Sequence, residues 1–66
     1  MEYSKIKEMA DFMSAFTVFR IPVYLVEKVV SGGPAKPLIE FMRKELKPGC
    51  EFTPKAIMLK TLELYK

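Results

Sequence analysis

The chain has 66 residues, a formal net charge of +3 and an apolar content of 50%, with one cysteine and no histidine. That length allows one domain, which buries only about 60% of the surface its unfolded chain exposes. A lone thiol rules out an intrachain disulfide, and without histidine it cannot by itself build the usual Cys/His zinc site. Ordering costs ~1.5 kcal/mol per residue, so a chain this short normally draws on a disulfide, a metal or a partner. Association is the route left. Five Phe, five Met and three Tyr are many for so small an interior. Some of them are therefore expected on a patch that meets another chain.

Asn, Gln and Trp are also missing. Asn and Gln are thermolabile amides that hyperthermophile proteins reduce, and their absence here points to a thermophilic source. The start, Met1 to Lys5, lacks the charged and then apolar pattern of a signal peptide. The apolar runs fall far short of the ~20 residues that span a bilayer. With one free thiol, the expected compartment is the cytoplasm, with no membrane partner.

Pro and Gly divide the chain into four segments. Ser4 reads as the N-cap of a helix reaching Phe16. Ile6, Met9, Ala10, Met13 and Phe16 recur at i, i+3, i+4, i+7 and i+10, one helical face, with Phe12 off its centre. Thr17–Ile21 is β-branched and aromatic and precedes Pro22, which favours extended backbone. Pro22 then opens a helix to Ser31, with Val23, Val26 and Val30 on one face and Gly32-Gly33 as its stop. The same valines support a strand over 17–30, which would make the fold α+β.

The third segment begins near Pro34 or Pro37 and ends by Lys47. Leu38, Ile39, Phe41, Met42 and Leu46 form its apolar face. Glu40 comes early and Arg43, Lys44 and Lys47 late, as the helix dipole favours. Pro48-Gly49 ends it. The fourth has Thr53 as N-cap and Pro54 at N1, and Phe52 and Ile57 are placed for a hydrophobic staple. Ile57, Met58, Thr61, Leu62 and Tyr65 share a face, while Leu59 and Leu64 fall on others. A helix apolar around most of its circumference is central or lies at an interface. The expected fold is all-α: residues 1–66 as a single small bundle of three to four short helices.

Catalysis has little to stand on. Without histidine, acid–base work falls to carboxylates, Lys, Tyr or Cys, and no two carboxylates pair on a face that reads as a cleft. Cys50 has Glu51 beside it and no activating cation, so it reads as a small loop hydrophobe. Gly32-Gly33 is too short to cradle a phosphate. No catalytic residue, cofactor, metal or small-molecule substrate is assigned.

Two binding readings remain. Lys36, Glu40, Arg43, Lys44 and Lys47 fall at helical spacing, putting four cations on the polar face of the third segment. With the short Ser31-Gly32-Gly33 turn before it, this suggests a helix-turn-helix nucleic-acid binder. Its weakness is that the cations gather at the C-terminal end and no Asn or Gln is present to read adenine. The first reading is a non-enzymatic protein-interaction module, an accessory or regulatory subunit or a self-associating protein. Its candidate surfaces are Phe12, Phe16, Phe19 and Tyr24 around the first joint, and Leu59 and Leu64 on the last helix.

Overall fold

The computed structural model describes residues 2–65 and contains four helices: α1 (Tyr3–Ser14), α2 (Val23–Val30), α3 (Lys36–Glu45) and α4 (Pro54–Leu64). α1 packs on α2 and α4, and α3 packs on the same two, so the helices close a ring around one core. The molecule measures 32 × 19 × 19 Å. None of the helices is long and apolar enough to cross a membrane.

The apolar stripe of α1 enters the core as its spacing requires. Ile6, Met9, Ala10 and Met13 are buried, facing Leu25 and Val26 of α2, Leu38 and Met42 of α3, and Ile57 and Met58 of α4. Ile21 joins them from the α1–α2 connection. Each such side chain contributes on the order of 1.5–3 kcal/mol relative to exposure. Four of the core positions are methionine. Its three rotatable bonds let it fill irregular gaps, and around Met9, Met13, Val26, Leu38 and Met58 no room for a water molecule is left. Thr61 is fully buried, and its hydroxyl is satisfied by donating to the Ile57 carbonyl at 2.7 Å.

The ends of the helices have separate causes. α1 starts two residues earlier than the Ser4 cap implies. The Glu2 carbonyl accepts from the N–H groups of Lys5 and Ile6, Glu2 is the N-cap without a side-chain cap bond, and Ser4 lies inside the first turn. At the other end the backbone tightens before Phe16. Ala15, Phe16 and Thr17 each donate to the carbonyl three residues back, the bonding of a 3₁₀ turn. Pro22 is the extended N-cap of α2, not its first residue.

α2 ends in a Schellman turn. Gly33 N–H donates to the Lys28 carbonyl at 2.7 Å and Gly32 N–H to Val29 at 3.1 Å, with Gly32 at φ 92°. A Cβ on Gly33 would sit 2.7 Å from the Lys28 oxygen, so both glycines are required. At α4 the cap is as the sequence reads: the Thr53 hydroxyl accepts from Ala56 N–H at 3.1 Å, with Pro54 first in the helix.

The α+β alternative is overturned, because residues 23–30 are helical. Among the described residues, strand-like pairing is confined to one antiparallel bridge, Thr17–Leu46. It is flanked by Val18 N–H to Glu45 carbonyl at 2.8 Å and Lys47 N–H to Phe16 carbonyl at 3.0 Å. The Pro-preceding, β-branched stretch is strand-like only at its start: Thr17 and Val18 pair with the chain leaving α3, and the backbone then bends at Val18 and Phe19, so no sheet forms among the described residues.

Candidate functional site

The bridge decides what lies beside what. It holds the end of α1 against the residues that follow α3, so the 46–53 connection runs alongside Phe16. That connection turns at Pro48-Gly49, where Cys50 N–H returns to the Lys47 carbonyl and Gly49 has φ 85°. Pro followed by a positive-φ Gly is the type II pattern. Beyond the turn the chain delivers Phe52 next to Phe16.

Four rings meet there. Phe12 and Phe16, one helical turn apart, pack edge to face with centroids 5.7 Å apart. Phe52 packs on Phe16 at 5.9 Å, and Tyr65 on Phe12 at 6.3 Å. Such pairs contribute about 0.5–1.5 kcal/mol each beyond area burial. The seam closes only part of its own surface. Phe12, Phe16 and Tyr65 are half-buried, whereas Phe52 is 58% exposed.

Between the rings and α4 an apolar cleft of about 440 Å³ opens, lined by Phe12, Phe16, Phe52, Ala56, Ile57 and Lys60. Lys60 is the one charged residue in this lining, and it has no ion pair among the described residues. A second cleft of about 360 Å³ lies across the Phe16–Phe52 wall and includes Ala15, Lys47, Gly49, Cys50 and Glu51. The Cys50 thiol points to the Phe52 carbonyl at 3.6 Å. Among the described residues no three Cys, Asp or Glu side chains group closely enough to hold a metal ion.

The structure sorts the sequence candidates unevenly. Phe12 and Phe16 form the centre of the seam. Phe19 and Tyr24 do not join it: they are 63% and 65% exposed and neither has a ring neighbour among the described residues. Arg20, between them, is bonded to Asp11 of α1. Leu59 and Leu64 are both exposed. They lie about 140° apart around α4, so they do not share a patch. Leu64 follows Ile57 and Lys60 on the cleft flank, and Leu59 is on the far side.

Phe52 and Tyr65 were assigned other roles in the sequence. The cap pattern Phe52-Thr53-Pro54 is the signal that could have revealed Phe52. A residue before the N-cap lies outside the helix, and it stays exposed unless another element covers it.

The basic face is thinner than its spacing suggests. Lys36, Arg43 and Lys44 are exposed on α3, but Lys36 lies 3.9 Å from Glu40. Lys47 leaves that face altogether. The helix ends at Glu45, Leu46 turns to extended backbone at ψ 138°, and Lys47 donates its N–H to Phe16 and lines the second cleft.

Comparison of the chain with protein-family models, with curated proteins and with solved structures finds no match in any of the three.

Proposed function

We propose that this chain is a non-catalytic protein-interaction module, an accessory or regulatory subunit that docks through the aromatic seam and its cleft. The observation that carries this reading is Phe52: a large ring, 58% exposed, on the lip of an open apolar cleft. The same chain closes its methionine-lined core tightly enough to exclude water. Packing that tight makes an unfilled apolar cleft a feature to be explained by something outside the chain. Aromatic residues set beside a desolvated pocket are the usual anchors of protein interfaces.

A photo-crosslinking residue placed at position 52 in cells that make the protein tests the proposal. A discrete protein adduct is expected, formed at a yield unaffected by ~0.5 M salt after lysis, because apolar burial drives the contact. The same residue at position 28, on the exposed face of α2, is the control. Equal labelling from both positions would sink the reading. So would adducts made of nucleic acid, which would restore the reading based on Arg43 and Lys44.

A further inference from the structure

The cleft has a charge as well as a shape, and the charge says something about its occupant. Its walls are Phe12, Phe16, Phe52, Ala56 and Ile57, and Lys60 is the cation on its rim. A lysine stem adds to an apolar wall while its ammonium keeps to solvent, and Lys60 is both in the lining and exposed. Lys60 has no ion pair among the described residues, so it is open to a carboxylate from outside. The adjoining cleft repeats the arrangement less cleanly, with Lys47 offset by Glu51. The chain as a whole carries +3.

We infer that the cleft receives an acidic, apolar-anchored segment of a foreign protein: one or two large apolar side chains seated among the rings, with an Asp or Glu beside them facing Lys60. This rests on the docking role proposed above and specifies its partner. A second copy of the same chain is the poorer occupant. A two-fold contact is isologous, so packing cleft on cleft brings the two Lys60 ammonium groups to one interface. Like charges juxtaposed there disfavour the pairing. A volume of about 440 Å³ is room for a few side chains.

The test is selection of a random dodecapeptide library displayed on phage against the immobilised full chain, run in parallel against Phe52→Ser and Lys60→Glu. Both positions are exposed, and a thermal melt of each variant checks that it is folded. The expected result is a consensus pairing Leu, Phe or Trp with Asp or Glu. Synthetic peptides of that consensus should lose at least tenfold in affinity on Phe52→Ser and about three- to tenfold on Lys60→Glu. A consensus lost on Phe52→Ser but without acidic residues, or indifferent to Lys60→Glu, overturns the acidic partner and leaves the docking role standing. A chain whose mass by light scattering doubles, and returns to monomer on Phe52→Ser, overturns it in favour of a second copy. Enrichment on wild type no greater than on Phe52→Ser overturns the inference and the docking role together.

Discussion

α1 has two apolar flanks with different fates. On one, Ile6, Met9, Ala10 and Met13 are closed in by α2 and α4 and enter one core with Ile21 and the buried residues of α3. On the other, Phe12 and Phe16 sit half-buried at the edge of that core, against rings that are themselves partly or largely exposed, and a cleft remains beside them. The larger, more apolar rings are thus the less buried set. Hydrophobicity of a side chain does not assign it to the core; what counts is how many elements converge on its face. Flexible methionines fill the converging side completely, while rigid rings on the other side pack edge to face and leave space between them.

Substitutions on each flank should separate the two. The largest effect is expected inside: Met42→Ala, at a fully buried position, should cost about 2–5 kcal/mol. A core this small rarely supplies more than about 3–5 kcal/mol in total, so a circular-dichroism melt should show the variant largely unfolded at 25 °C. Phe16→Ala removes two ring pairs from a half-buried site and should cost less, about 1–3 kcal/mol by the same melt. A loss as large as that of Met42→Ala would mean that the seam is core after all.

Thr53→Ala deletes the cap bond to Ala56 and should cost about 1 kcal/mol by urea titration. It alters the start of α4 without touching a ring, so it measures how far the seam depends on that helix being well anchored. Lys60→Glu should leave stability within about 0.5 kcal/mol, since the residue is exposed and has no ion pair among the described residues. Its effect is expected in peptide affinity alone. A shift in the melt of several degrees would show that Lys60 holds the fold together and is not free for a partner.

Three helices could be read from local pattern because their signals are local. The i, i+3, i+4 stripe of α1, the charge gradient of α3 and the Phe52-Thr53-Pro54 cap of α4 each lie within one segment. α2 was ambiguous, since eight residues rich in valine suit either a strand or a buried helix, and periodicity over so short a run does not decide. The Pro22 start and the Gly32-Gly33 stop favoured helix, and the Schellman turn shows why both glycines are there.

Half of the seam was likewise legible. Phe12, off the centre of the helical face, and Phe16, at its end, stand out as aromatics around the first joint. Phe19 and Tyr24 look equivalent in composition, yet Phe19 lies on the connection beyond the bridge and Tyr24 on the exposed face of α2. The basic stripe failed at Lys47 for a similar reason: a periodicity count assumes that the helix continues, and here the backbone turns extended at Leu46.

By itself, then, the sequence determined three of the short helices, their approximate limits, the core stripe of α1 and the cap of α4, and it favoured helix for the fourth. These depend on contacts within a few residues and on the fixed 3.6-residue turn. Only the tertiary structure decided that Phe52 meets Phe16, that Phe19 has no ring neighbour among the described residues and that Lys60 faces an open cleft. Those facts follow from the Thr17–Leu46 bridge, two backbone stretches paired across a long chain separation. Backbone groups are nearly the same in every residue, so a bridge of this kind leaves no pattern of side chains by which to foresee it.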